Sequence, residues 1–284
     1  MALVKSLCIS GNYSPKFPAI SCAYLQNDKD FVVGRRPLTF NINELVTSAN
    51  LAPTDVPTST FQSAADYFEA LAEQHLSHLQ NQRNDAVTDE ADCQKKFVAR
   101  CLFRKITRNI SVEHGSYRLY CDDFRPSNII VDVKRFYVNA VIDWEFTYVA
   151  PAEFTYVAPW WLMLQSPEDW DSDSNLNDFL SRYKPRLNLF LEVLRSCEDE
   201  KISEGTLLDS QRLAACMESS MENGLFWNFL DKMYYGPLES IEDRIQLLDE
   251  QERKELGEIF LVKVEQAREG KLDENYSTDA LVDL

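Results

Sequence analysis

Between residues 117 and 144 short apolar runs alternate with polar turns on a spacing that leaves few folds open to the chain. Arg118-Leu119-Tyr120-Cys121, Ile129-Ile130-Val131 and Tyr137-Val138-Asn139-Ala140-Val141-Ile142 each read as a short strand, rich in β-branched and aromatic residues. The loop after the first strand carries Asp123 and, five residues later, Asn128, with Pro126 fixing the turn between them. Asp143 follows the third strand and precedes Trp144 and Glu145. A strand-loop-strand-strand unit of this kind brings two carboxylates and an amide to neighbouring loop ends. Those groups suit phosphoryl transfer. One carboxylate can receive the proton of an attacking hydroxyl, while an amide oxygen and a second carboxylate are the hard donors that Mg²⁺ accepts.

The run Tyr120-Cys121-Asp122-Asp123-Phe124-Arg125-Pro126-Ser127-Asn128, followed by Val141-Ile142-Asp143-Trp144-Glu145, resembles the aminoglycoside phosphotransferase and choline kinase group. That family carries His-Gly-Asp-Leu-His-Pro-x-Asn-Ile-Leu and then Ile-Asp-Trp/Phe-Glu. The resemblance implies a protein-kinase-like catalytic lobe that moves the γ-phosphoryl group of ATP or GTP to a hydroxyl of a small molecule. On that alignment Asp123 is the proton acceptor, Asn128 and Asp143 hold Mg²⁺, and Arg125 contacts phosphate or holds the loop. Cys121 stands where the family has His, and Asp122 where it has Gly. The His orients the loop in relatives and is not the proton acceptor. The match is specific over residues 117–161 and diffuse elsewhere. Relatives act on aminoglycosides, macrolides, choline, homoserine and sugars, so the resemblance does not name an acceptor.

A complete enzyme of this type places a nucleotide-gripping lobe before the motif, with a phosphate-covering loop and a strand-borne Lys paired to a helix Glu. The chain has only 8 Gly, all isolated, and only Gly11, Gly34 and Gly115 precede the motif. Lys5 and Lys16 lie in segments without a strand pattern. The expectation is therefore an α+β, mainly α fold resembling the C-terminal lobe with short β-hairpins and no nucleotide lobe. Residues 1–16 read as a remnant, 17–270 as the catalytic lobe and 271–284 as an acidic tail. Two functional readings follow: a truncated phosphotransferase, or a non-catalytic relative that only binds.

Composition narrows the partners. A formal net charge of −17 and a pI near 4.6 disfavour nucleic acid and anionic membrane surfaces, and suit a cationic small molecule. Solubility alone also explains such a charge. Seven cysteines, an odd number without C-x-x-C spacing, argue against a disulfide framework or zinc site and for a reducing, cytoplasmic compartment. No run approaches the ~20 apolar residues of a membrane span, and the apolar start at residues 1–9 is too short for a signal peptide.

Elsewhere the periodicity is mostly helical. Residues 17–37 read as a β-hairpin leading into Arg36-Pro37-Leu38, and 41–50 as a short helix. Residues 61–82 form an amphipathic helix started by Ser63 and Asp66, with Tyr67, Phe68, Leu71, Leu76 and Leu79 on one face. His75 and His78 on that helix read as partly exposed and not as a metal pair, since no third ligand is in reach. Residues 89–108 bury Phe97, Val98, Cys101, Leu102 and Ile106, with Cys93 as another core filler. Helices are expected over 175–197, 206–221, 224–235 and 240–269. Glu145-Phe-Thr-Tyr-Val-Ala-Pro151 recurs as Glu153-Phe-Thr-Tyr-Val-Ala-Pro159. This duplicated segment, with Trp160 and Trp161, reads equally as pocket wall or as core. His114-Gly115 reads as a turn. The acidic run at 168–173, with its embedded Trp170, reads as a solvated loop that could also attract an ammonium group.

Overall fold

Three antiparallel strand pairs and seven α-helices make up the regular structure of the described residues. The computed structural model describes residues 17–26, 30–37, 39–83, 86–109, 117–135, 137–163, 176–222, 226, 240–277 and 279. The fold class is α+β and mainly α. Contacts divide the chain into one unit from residues 1–17 and 116–231 and another from 18–115 and 232–284. The expected remnant at 1–16, His114-Gly115, the loop at 168–173 and all of 224–235 except Phe226 lie outside the described residues. Before residue 60 the described residues form one two-stranded hairpin and one α-helix. Among the described residues no helix is long and apolar enough to cross a membrane.

The motif-bearing unit contains β3 (Tyr117–Cys121), β4 (Ile129–Asp132), β5 (Tyr137–Val141) and β6 (Thr147–Pro151), followed by helices α4 (Leu176–Ser203) and α5 (Ala214–Ser220). β4 pairs with β5, and β3 pairs with β6 so that Tyr120 faces Tyr148 and Cys121 faces Thr147. β6 is the first copy of the duplicated heptapeptide. The second copy forms a 3-10 turn at Ala152–Tyr156 and runs into the core. There the Ala158 N–H donates to Ser220 Oγ at 3.1 Å, and the Tyr183 hydroxyl donates to the Pro159 carbonyl at 3.0 Å. Trp161, Phe179, Tyr183, Phe190, Leu191, Leu194 and Phe226 form this core. Trp161 thus packs against Phe190, with ring centroids 6.0 Å apart, so the core alternative holds for it.

Two expected helix boundaries change. α4 runs past residue 197 to Ser203, and Gly205, at φ 69°, closes it in a left-handed conformation that a side chain would strain. Residues 206–221 are then not one helix but a short 3-10 turn at Asp209–Gln211 and the seven-residue α5. A remote carboxylate causes this. Glu198 of α4, 2% exposed, accepts from the N–H groups of Leu213 (2.6 Å) and Ala214 (3.2 Å), capping α5 from outside its own sequence. Arg212 braces the arrangement through Asp199 at 2.6 Å and Asp209 at 2.8 Å. Glu198→Ala is predicted to cost about 2–4 kcal/mol, since two buried N–H groups lose their acceptor and Arg212 loses a neighbouring charge. Urea unfolding with an unchanged slope checks this.

The second unit holds the expected hairpin, β1 (Cys22–Gln26) with β2 (Asp30–Arg35), and helices α1 (Phe40–Thr47), α2 (Ala64–Asn81), α3 (Glu90–Asn109), α6 (Ile241–Gln246) and α7 (Glu250–Glu269). Ser63 caps α2 as the sequence suggests, accepting from the Asp66 N–H at 3.0 Å. Leu76, Leu79, Cys93, Phe97, Val98, Cys101 and Leu102 share one core with Leu248 and Ile259. His75 is buried at 3% exposure beside the Phe103 ring, not partly exposed as its helical position suggested. The expected single helix at 240–269 is broken. Asp249 and Glu252 form a reciprocal capping box that starts α7, and buried Glu252 is also held by Arg104 and Lys105 of α3.

Lys263 of α7 reaches the end of α2 and donates to the carbonyls of Gln80 (3.2 Å) and Gln82 (2.7 Å) and to Gln266 Oε1 (2.9 Å). Burial outweighs these acceptors and pushes its ammonium from the ordinary 10.5 down to about 8. Below pH 8 the folded and unfolded chains both carry the proton and the full cost of burying it remains. Between about pH 8 and 10.5 only the unfolded chain holds it, so this group adds stability as pH rises. The stability of the native chain relative to Lys263→Met is predicted to be flat from pH 6 to 7.5 and to rise toward pH 10. Paired denaturant titrations at each pH measure it.

Candidate active site

The loop leaving β3 is built to hold Asp123 against Asn128. Pro126 occupies the first position of a 3-10 turn, Pro126–Asn128, where its missing N–H costs nothing and its fixed φ suits the turn. The turn carries Asn128 back under the loop, with its own N–H bonded to the Arg125 carbonyl at 3.0 Å. The Asn128 side chain is 7% exposed. Its Nδ2 donates to both the Asp123 main-chain carbonyl (2.9 Å) and Asp123 Oδ2 (2.8 Å). The amide nitrogen is thereby committed to Asp123, and the amide oxygen meets only a 3.4 Å approach from Ser127 Oγ.

Asp143 is tied to this loop through the backbone. The β4–β5 pairing carries on one step beyond the strands, because the Ile142 N–H donates to the Asn128 carbonyl at 2.9 Å. Asp143 comes next and adopts φ 67°, a left-handed conformation that Asp tolerates better than most residues. Strain of that kind persists only where neighbours fix it. Here the neighbours are Cys121, whose thiol donates to the Asp143 carbonyl at 3.9 Å, and Trp144, whose indole N–H donates to the Val141 carbonyl at 3.0 Å. Burial pushes the Cys121 thiol up, so it remains a protonated donor. The Trp144 ring lies 6.2 Å from that of Phe124. The Asp143 carboxylate is exposed.

Arg125 occupies the remaining oxygen of Asp123, with Nε 2.7 Å from Oδ1. The structure thus joins Asp123, Arg125 and Asn128 directly and joins Asp143 to them through the main chain. Sequence reasoning missed two contributors. Asp122 follows Cys121 with its N–H bonded to the Phe146 carbonyl at 3.2 Å, and its Oδ1 accepts from the hydroxyl of Tyr148, 1% exposed, at 3.2 Å. The signal lay in the pairing: Tyr148 faces Tyr120, and a ring on β6 reaches two residues further along the partner strand.

For a metal, the donor chemistry fits. Asn128 Oδ1 and the Asp143 carboxylate are hard oxygen donors, and two such ligands suit Mg²⁺, which keeps several waters and takes phosphate oxygens for the rest. Among the described residues no group of three or more His, Cys, Asp or Glu side chains is gathered for a metal. No family model, curated protein or solved structure matches the chain.

Asn128→Leu is predicted to free the Asp123 loop. It removes both Nδ2 bonds at a buried position and leaves a main-chain carbonyl without its donor, at a cost of about 1–3 kcal/mol. Amide exchange should speed up at Asn128 and Ile142 more than at Leu119 or Val149 in the β3–β6 ladder.

Proposed function

We propose that residues 117–144 form a phosphoryl-transfer site of the aminoglycoside phosphotransferase type, acting on a hydroxyl of a small molecule with ATP or GTP as donor. The observation that carries this reading is the pair of hydrogen bonds from Asn128 Nδ2 to the carbonyl and carboxylate of Asp123. It orients the amide oxygen as a cation ligand and fixes the carboxylate that would take the proton. Asp123 accepts the proton of the acceptor hydroxyl, and Arg125 engages a phosphoryl oxygen. Asn128 and Asp143 hold Mg²⁺, which, when bound, neutralises charge on the phosphate oxygens. The acidic surface supports a cationic acceptor and argues against nucleic acid or an anionic membrane as partner. Seven cysteines, an odd number without C-x-x-C spacing, support a reducing, cytoplasmic setting.

A second reading, a module on the same lobe that binds without catalysing, is favoured by one specific contact. Both Asp123 oxygens are engaged, one of them by a guanidinium, so an acceptor hydroxyl would have to displace Arg125 or share an oxygen with it. The sequence also lacks a glycine-rich loop to position the γ-phosphate, and positioning supplies much of the rate in this chemistry. Turnover by the purified chain is therefore predicted to be weak. MgATP or MgGTP should raise its melting midpoint. Asn128→Ala with Asp143→Asn should remove that shift, while Asp123→Asn should keep it and abolish phosphate release in a coupled assay. A nucleotide shift without any turnover would decide for the binding module. The absence of both would remove the phosphoryl-transfer reading.

A further inference from the structure

We infer that Tyr148 and Asp122 are a positioning pair that sets the Asp123–Asn128 loop for cation binding. The inference rests on the site reading above. Cys121 makes a 3.9 Å thiol contact with the Asp143 carbonyl and faces Thr147 across the ladder. The neighbouring residue adds a second restraint. Asp122 is gripped at two points, one on β6 and one just before it: its carboxylate accepts from the Tyr148 hydroxyl, and its N–H bonds to the Phe146 carbonyl, each at 3.2 Å. The turn closes at once, with the Phe124 N–H on the Cys121 carbonyl at 3.3 Å. Asp123 therefore sits between a residue clamped to β6 and the Asn128 amide that binds it from the other side.

Tyr148 is suited to this work because its ring is tightly packed. It is 1% exposed, and its ring stands edge-on to Tyr120 at 6.2 Å, which in turn meets Phe154 at 5.2 Å. Burial, and after it the neighbouring Asp122 carboxylate, raises the Tyr120 phenol above its ordinary value. A hydroxyl fixed by a packed ring and aimed at a carboxylate is a directional contact, here at 3.2 Å and so longer than a short charge-assisted bond. It transmits the register of the β3–β6 ladder to the loop that holds Asn128. Tyr148 and Asp122 need touch neither metal nor phosphate. They act through the loop, as partners one step outside a metal's ligands do elsewhere.

The test uses Mn²⁺ as probe on the full chain, with free Mn²⁺ followed by EPR and the melting midpoint recorded alongside. Tyr148→Phe removes one oxygen atom and Asp122→Ala removes the acceptor. Each is expected to weaken Mn²⁺ binding about tenfold or more with little change in midpoint. Asp122→Asn keeps an acceptor oxygen and should restore most of the affinity. If Tyr148→Phe binds Mn²⁺ as the native chain does, the inference is overturned while the site reading stands. A midpoint that drops in step with the affinity makes the bond merely structural and also overturns it. If the native chain binds no Mn²⁺, or if Asn128→Ala with Asp143→Asn leaves binding unchanged, the site reading fails and this inference with it.

Discussion

The Asn128 amide is the point through which the candidate site is assembled. One buried nitrogen donates to the main chain and the carboxylate of the same residue, Asp123, so loop shape and side-chain direction are fixed together. The carbonyl of Asn128 meanwhile accepts from Ile142 and so sets where the β4–β5 pair ends and where Asp143 begins. An amide suits this position because it offers two donors and one acceptor on a planar group. A carboxylate here would repel Asp123, and an alkyl group would leave a buried carbonyl without a donor.

Around this point the charges are arranged by local pairing. Arg125 balances Asp123 at the surface, where an ion pair that is half exposed contributes little to stability and can exchange partners readily. Asp143 has a free carboxylate surface but a constrained backbone, since its left-handed φ is held by Cys121 on one side and by the Trp144–Val141 bond on the other. In the proposed site a phosphoryl group would meet the Arg125 guanidinium and oxygens set on these loops.

The duplicated heptapeptide shows how context selects structure. Glu145–Pro151 and Glu153–Pro159 have the same seven residues, yet the first supplies strand β6 and the second a 3-10 turn and a buried extended segment. The first copy follows the Asp143 turn and meets β3, whose open edge satisfies its main chain. The second pairs with no strand among the described residues, and two of its main-chain groups are met instead by Ser220 and Tyr183. Glu145 remains exposed while Glu153 is buried. Local propensity is identical in the two copies, so the difference belongs wholly to their partners.

The short-range features of this protein were legible in its sequence. Short β-branched and aromatic runs marked β3, β4 and β5, the 3.6-residue stripe marked the buried faces of α2 and α3, and Ser63 marked a helix start. Each depends on residues within a few positions of one another, where dihedral preference and burial pattern decide. Tertiary structure decided the rest. Glu198 shortened the helix expected at 206–221 to α5, and Arg104 and Lys105 hold the Glu252 of the capping box that divides 240–269. Packing buried His75, and the β3–β6 register brought Tyr148 to Asp122. Those outcomes hinge on hydrogen bonds and ion pairs between residues far apart in the chain, whose distances are set only when the strands and helices pack.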